Sequence, residues 1–542
     1  MNPARIYTLV RISGGNDVAG SMLGGGSGTS DVIVDLPSEL NRRVTWTDLE
    51  VSRSGLIVRD VPLVTVGGGI GSFALIDSLR IGGVSVAAVA AVGTDECPWD
   101  SITRLARASQ LGDDDRLRSD SSSTPGNIWG FPSYALREAW KRRSLAPVVN
   151  VLTEPIITDF WTPRLSQVMD EMRREADRIN WWAVFDRGRV ELIRERDEGG
   201  YFILVRRCDT DTRVVYRSRW VHVAVGYSAI RMLPDLQSYR ERTGDAERVV
   251  NAYESHDHVY ESLARRPGSV LVRGSGVVAS RILERLIDDR DEKGLDTRVH
   301  HLFRTYVGGS RGPSIMLRRP GADGWANQAF NWPKSCWGGE LKQRLERLDP
   351  EGRMELLGVL GGTTTPPRKS WQDQLVRARE GGWYQELIGT VVDVRPSGDG
   401  RVSTNIIDHD GAKSELVSDF VIDCTGLEPA IESHPLFADM LAHAGIERNP
   451  LGRLDVTESF EVLGARSGDG RIYASGAATL GGPYAAVDSF QGLQYAALRI
   501  ADDLAEQGFG HRIGVRRSLR QWVRWVRDRP PEPAGRNEAV AP

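Results

Sequence analysis

Short apolar runs alternate along this chain with longer segments whose apolar residues recur every three or four positions. That alternation predicts buried strands joined by amphipathic helices. Leu63-Val64-Thr65-Val66 reads as a buried parallel strand. The glycine-rich turn Gly67-Gly68-Gly69-Ile70-Gly71-Ser72 follows, and Phe73, Ile76 and Leu79 then mark one helical stripe over Phe73 to Arg80. Gly82-Gly83 ends that helix, and Val84 to Val89 predicts the second strand. The same grammar returns later in the chain. Val270-Leu271-Val272 is a strand, Gly274-Ser275-Gly276-Val277-Val278-Ala279-Ser280 is a turn, and Val278, Ile282 and Leu286 share a helical stripe. Val299 to Phe303 then reads as the next strand, closed by Arg304.

Each half also carries a run of short alternating segments. Val190–Ile193, Tyr201–Val205 and Val214–Tyr216 predict an antiparallel meander turning at Glu198-Gly199-Gly200, which feeds a strand over Val221–Val225 ending in Gly226. Val391–Val394 and Val402–Ile407 repeat the pattern and feed Phe420 to Gly426. Arg471 to Gly476 reads as a last strand, and a long helix follows from Ser489 to Glu506. The whole predicts an α/β protein with two Rossmann-like, doubly wound nucleotide-binding domains, the second inserted in the first. The expected boundaries are a leader over 1–60, a first domain over 61–235, an inserted domain over 236–370, the return of the first domain over 371–510, and a basic tail helix over 511–542. The turn-rich Gly361–Pro367 suggests the hinge for that return.

A glycine turn between strand and helix suits a dinucleotide. Gly67 permits the bend, Gly69 lets the backbone approach a pyrophosphate, and the helix N-terminus offers free N–H groups to it. Gly274, Gly276 and Ala279 hold the same places in the second turn, with Ser280 beside them. Gly226, Thr425, Gly426 and Gly476 stand where strands end, close to any bound cofactor. Two features depart from the fingerprint. Ser72 replaces the third glycine, and Ala90 falls near the place of the acid that holds a ribose hydroxyl, with Asp95 and Glu96 a few residues later. Arg304 suits the 2′-phosphate of NADP(H); its bland alternative is a solvated arginine at a strand end.

Composition changes this picture little. A chain of 542 residues holds two or three domains. Its net charge of -4 gives no reason to invoke nucleic acid or an anionic membrane. No apolar run is long enough to span a bilayer, and Met1 to Arg5 lacks a signal-peptide pattern, so a cytoplasmic location is expected. The Arg- and Gly-rich, Lys-poor composition suggests a GC-rich bacterial genome. Cys97, Cys208, Cys336 and Cys424 form no C-x-x-C pair, which argues against a dithiol redox couple and a zinc ribbon. His256-Asp257-His258 offers two metal ligands without an evident third, so no metal is expected.

Two G-x-G-x-x-[GAS] turns, no redox cysteine pair, and Asp419-Phe420-Val421-Ile422-Asp423-Cys424-Thr425-Gly426-Leu427 together resemble the flavin-dependent class B monooxygenases. Within them the chain looks most like the N-hydroxylating ornithine and lysine enzymes. Asp419 and Thr425-Gly426 match their late motif, while Asp423 stands for an apolar residue and Cys424 for alanine. The last strand reads Gly476-Ala477 where many flavoproteins carry Gly-Asp. The resemblance implies FAD on the first turn and NADPH on the second, with a C4a-hydroperoxyflavin that hydroxylates a nucleophilic nitrogen or sulfur of a small molecule using dioxygen. It also implies a place in specialised metabolism. Two alternatives stay open: a flavin-dependent dehydrogenase or reductase, and an inactive dinucleotide-binding scaffold.

Substrate contacts are harder to read. Trp325 to Trp337 crowds aromatics against amides and one lysine, which makes Asn327, Asn331 and Lys334 pocket candidates or members of a packed loop. In the resembling family a loop after the first unit approaches the flavin, which singles out Asn127 and Trp129. The leader and the tail bearing Trp522 and Trp525 offer surfaces for a homo-oligomer.

Overall fold

The computed structural model describes residues 38–117, 138–153, 162–304, 339–360, 369–428 and 430–532. Asn127, Trp129, Asn327, Asn331 and Lys334 lie outside the described residues, as do Gly361–Pro367 and the first part of the leader.

The first sheet has five parallel strands at its centre, in the order Phe185–Arg196, Val89–Gly93, Leu63–Val66, Trp220–Val223, Arg471–Ala474. Leu63–Val66 is buried at every position, as a strand covered on both faces must be. The strand order reverses between Leu63–Val66 and Trp220–Val223, and a crevice forms at such a point. Phe185–Arg196 is long enough to leave the parallel core and pair antiparallel with Tyr201–Arg207, which pairs in turn with Arg213–Ser218. The meander is therefore a continuation of this sheet. Thr45–Trp46 and Ile57–Asp60 add to its edge. Trp46 is fully buried against Phe202, Leu204 and Val215, so the end of the leader belongs to the first unit. At ~25 cal/mol per Å², an indole buried this way contributes several kcal/mol.

The second sheet is all parallel, in the order Val249–Asn251, Phe420–Asp423, Gly268–Arg273, Thr297–Phe303, Tyr384–Ile388. Two strands of this sheet lie beyond the expected boundary at 370. Tyr384–Ile388 and Phe420–Asp423 hydrogen-bond into the second sheet, and the chain rejoins the first only at Arg471–Ala474. An apolar run looks the same whichever sheet it enters, so pattern alone could not place them. The antiparallel Thr390–Pro396, Val402–Ile407 and Lys413–Ser418 form a separate sheet of three strands.

Two crossings join the units. Ala229–Ile230 and Leu427–Glu428 pair antiparallel as a short ribbon between them. Gly226 and Gly426 flank it at φ of 73° and 119°, left-handed backbone that suits glycine.

Helix Ile70–Ile81 is buried on nearly all sides, packed against Leu165–Ile179 and Phe490–Glu506. The tail helix Val515–Val526 docks by donating from Arg517 Nε and Gln521 Nε2 to the Ile81 carbonyl at 3.0 and 3.2 Å. Among the described residues, no helix is long and apolar enough to cross a membrane.

The second strand differs in position from its expectation. Val86–Ala88 is a 3-10 turn, whose start is capped by the Ser85 hydroxyl accepting from Ala87 N–H. The strand runs Val89–Gly93 instead, so Ala90 lies inside it and Asp95 and Glu96 come directly after its end.

Candidate functional site

The two glycine turns occupy equivalent places at the carboxyl ends of their sheets. Gly67 N–H donates to Val92 and Ala224 N–H to Val66; correspondingly, Gly274 N–H donates to Leu302 and Cys424 N–H to Arg273. A Cβ at Gly67 would lie 2.3 Å from the Ala224 carbonyl oxygen, and one at Gly274 2.9 Å from that of Cys424. Both glycines have positive φ, 101° and 122°. Each first glycine is thus required by contact and by conformation.

The second glycines behave differently. A Cβ at Gly69 or Gly276 would meet nothing within 4 Å, and both residues have negative φ and cap the following helix. These positions face open space at a helix N-terminus, a location whose dipole favours an anion. Gly226 and Gly426 are equally open at the adjoining strand ends. Gly71 serves packing, since a Cβ there would crowd the Ala224 Cβ at 2.9 Å and Ser475 Oγ at 3.1 Å. Gly476, at φ 79°, opens a 3-10 turn and lies beside Leu493 of helix Phe490–Glu506.

Buried polar groups hold the first turn from below. Ser72 Oγ donates to the Gly67 carbonyl, and Thr65 Oγ1 donates to Ser72 Oγ at 2.7 Å. His222 contacts Thr65 Oγ1 through Nδ1 at 2.8 Å and Ser475 Oγ through Nε2 at 2.9 Å. Burial lowers the His222 pKa to about 3. The Ser72 hydroxyl, not a third glycine, is what this fingerprint position supplies.

In the second turn, Ala279 is fully buried and the Ser280 hydroxyl is committed to the Val277 carbonyl at 2.7 Å, inside its own helix. His301 Nε2 lies 2.6 Å from the Gly274 carbonyl, and its Nδ1 lies 3.0 Å from Tyr384 Oη. Burial lowers the His301 pKa to about 4. Thr425 donates through its N–H and hydroxyl to Asp423 Oδ1, at 2.9 and 2.6 Å, while Leu233 N–H donates to Asp423 Oδ2 at 2.7 Å. Asp423 departs from the resembling motif because it fastens the incoming crossing to the outgoing one. Arg304 is exposed just past the end of Thr297–Phe303.

Between the turns, Tyr227 donates to Asp488, the residue before the Ser489 cap of helix Phe490–Glu506. Tyr253, beyond the end of strand Val249–Asn251, is pushed up to about 12 by burial and by the nearby Cys424 and Asp488. His256 is elsewhere and occupied, its ring bonded to the Glu254 carbonyl and Tyr260.

No protein-family model matches the chain, and no curated protein sequence does. Solved structures share its fold. An ornithine N-hydroxylase from Kutzneria sp. 744, solved with reduced FAD, NADP+ and L-ornithine, superposes with a TM-score of 0.57 at 16% identity, over 83% of this chain and 100% of that one. L-lysine 6-monooxygenase from Pseudomonas syringae gives 0.57 at 16% identity over 82% and 99%. Ornithine hydroxylase from Pseudomonas aeruginosa gives 0.55 at 16% over 83% and 99%. The chain has the fold of the N-hydroxylating flavin monooxygenases. At such identity the likeness concerns fold; the residues of this site have to be argued from their own geometry.

Sequence reasoning found the turns and missed what supports them. His222, Ser475 and His301 sit in or beside apolar strands with no motif around them. Their significance appears only when the sheet aligns them with the glycine carbonyls.

Proposed function

We propose that this chain is an FAD- and NADPH-dependent monooxygenase that hydroxylates a nucleophilic nitrogen of a small molecule, with dioxygen as co-substrate. The observation that carries the reading is the pair of alike glycine turns, each at the carboxyl end of its own parallel sheet and each with an open second glycine. The neighbours' activity on ornithine and lysine supports nitrogen over sulfur. Cys97, Cys208 and Cys424 are free, and the absence of a C-x-x-C pair in the sequence disfavours a dithiol reductase.

The first cradle fits the pyrophosphate of FAD. Gly67, Gly69, Gly71 and Ser72 would hold it through backbone and helix end, with Gly226 and Gly476 lining the adjoining strand ends. Gly274, Gly276, Ala279 and the backbone at Ser280 would hold NADPH, beside Thr425 and Gly426, with Arg304 toward its 2′-phosphate. Bound FAD, once reduced, supplies the oxygen-activating chemistry. The protein's task is to orient the two coenzymes and keep water from the crevice. Tyr227, bonded to Asp488, and Tyr253, whose hydroxyl feels the Asp488 charge, would be the polar groups that face the substrate.

Gly69→Ala and Gly276→Ala test the reading, because neither Cβ touches protein and both φ values allow alanine. Both variants should fold with unchanged melting temperature. Gly69→Ala should lose flavin absorbance, and Gly276→Ala should keep it but bind NADPH weakly. Wild-type protein should consume NADPH in air and add one oxygen atom to an amine such as L-ornithine or L-lysine, by mass spectrometry. A pure, folded chain that takes up no flavin would end the proposal.

A further inference from the structure

We propose that His222 and His301 are positioning residues, each fixing the carbonyl of one cradle's leading glycine, His301 directly and His222 through Thr65 and Ser72. The inference builds on the reading above and says which buried groups shape each site.

The direction of every bond follows from one acceptor. A carbonyl oxygen can only accept, so Ser72 O–H donates to Gly67, and Thr65 O–H donates to Ser72. Thr65 has then spent its proton, so His222 Nδ1–H must donate to Thr65 Oγ1. The neutral ring leaves Nε2 as an acceptor, and Ser475 O–H donates to it. The relay runs from the last strand to the first turn without a break. In the second unit the Gly274 carbonyl takes His301 Nε2–H directly; Tyr384 Oη lies 3.0 Å from Nδ1 and 3.3 Å from Glu386 Oε1, and beside a neutral ring its one proton goes to the nearer acceptor, Nδ1. Both imidazoles are fully buried and neutral.

This matters for a phosphate site because a trans peptide is planar, with its N–H opposed to its C=O. Fixing the Gly67 carbonyl fixes the direction of Gly68 N–H; fixing the Gly274 carbonyl fixes that of Ser275 N–H. The turns are otherwise soft, since glycine has the widest choice of conformation. Two different side-chain arrangements, a four-member relay and a single imidazole, reach the same atom in the two cradles. Neither ring faces the open crevice, so neither is a catalytic residue.

The inference predicts a crossed pattern of affinities. His222→Leu should raise the Kd for FAD about tenfold or more and leave the Kd for NADP+ within about twofold; His301→Leu should do the reverse. Conservative variants should rescue. His222→Asn keeps a donor toward Thr65, and His301→Gln keeps one toward Gly274. Should a leucine variant fail to fold, Thr65→Val and Tyr384→Phe remove the relay's middle and the second ring's donor with little change of shape. Binding is measured by flavin fluorescence on apoprotein reconstituted with FAD, and by calorimetry of NADP+ on the holoenzyme. Equal losses for both coenzymes in each variant, or no loss in folded variants, would overturn the inference while leaving the function standing. A wild-type chain that binds neither coenzyme overturns both.

Discussion

The backbone carbonyl of Gln110 accepts a hydrogen bond from Arg281 Nε at 2.7 Å, and this contact joins the first unit to the helix that follows the second cradle. Gln110 holds a left-handed backbone, φ 64°, without being glycine. Its side chain is taken too: Oε1 accepts from Arg285 at 3.0 Å and Nε2 donates to Asp257 at 3.2 Å. Arg281 also pairs with Asp115. The loop is clamped where a rotation of one unit on the other would part them. Arg281→Ala should leave both coenzyme affinities near wild type but slow flavin reduction by NADPH about tenfold, equivalent to ~1.4 kcal/mol, because the clamp sets their mutual orientation. Stopped-flow absorbance under anaerobic conditions reads the step. An unchanged reduction rate would mean that the crossing ribbon alone sets the arrangement.

The fold was legible where local pattern and local geometry coincide. Leu63–Val66, both glycine turns and the meander of 185–218 follow from apolar spacing and glycine placement alone. What could not be read depends on partners distant in sequence. Tyr384–Ile388 goes to the second sheet because its neighbour there is Thr297–Phe303, a fact that periodicity does not carry. The second strand of the first unit was misplaced because Ser85 caps a 3-10 turn inside an apolar run. At the turns, Gly69 and Gly276 follow from their motif, and both face open space. His222 and His301 follow from no motif, since a histidine in an apolar strand carries no mark of the carbonyl it will meet.

Arg304 is exposed just past the carboxyl end of Thr297–Phe303, the strand after the helix of the second glycine turn, where a 2′-phosphate would arrive if NADPH binds there. A charge-assisted bond to phosphate is worth ~1.5–3 kcal/mol. Arg304→Ala should therefore raise KM for NADPH by about tenfold or more, with kcat little altered and NADH kinetics unmoved. Steady-state assays with the two nicotinamides decide it. Equal changes with both would remove Arg304 from phosphate recognition.

Asp77 lies in the middle of helix Ile70–Ile81, fully buried beside Glu175 and Arg178. Arg178 Nε gives 2.8 Å bonds to both Glu175 oxygens, but Asp77 Oδ1 is 3.7 Å from Arg178 and has no hydrogen-bond partner. Burial, then the Glu175 charge, push the Asp77 carboxyl well above its usual range. A folded value above the unfolded one means the folded state holds the proton more tightly, so stability falls as pH rises from 3.8 through the raised value. Asp77→Asn removes that loss. It should raise stability at neutral pH by on the order of 1–2 kcal/mol, a gain that shrinks toward pH 4. Thermal melts across that range test the sign; a variant less stable at neutral pH would show that the carboxylate is needed for Arg178.

The two cradle imidazoles titrate in the opposite sense. Their unfolded value is 6.5, whereas burial holds His222 near 3 and His301 near 4 in the folded state. Below pH 6.5 the unfolded chain binds protons that the folded chain refuses, so stability falls as pH falls, by ~1.4 kcal/mol per pH unit for each ring. The loss begins at the unfolded value and ends for each ring only at its folded value. Replacing both with neutral amides, His222→Asn with His301→Gln, should flatten the profile of urea midpoint against pH between 6.5 and 4, while above pH 7 the offset from wild type stays constant. Asp77 contributes with the other sign over part of the same window, so the comparison is made between the double variant and wild type, in which Asp77 cancels. Parallel profiles across the window would mean that these rings accept protons in the folded chain, and the neutral donor pattern assigned to both cradles would then be wrong.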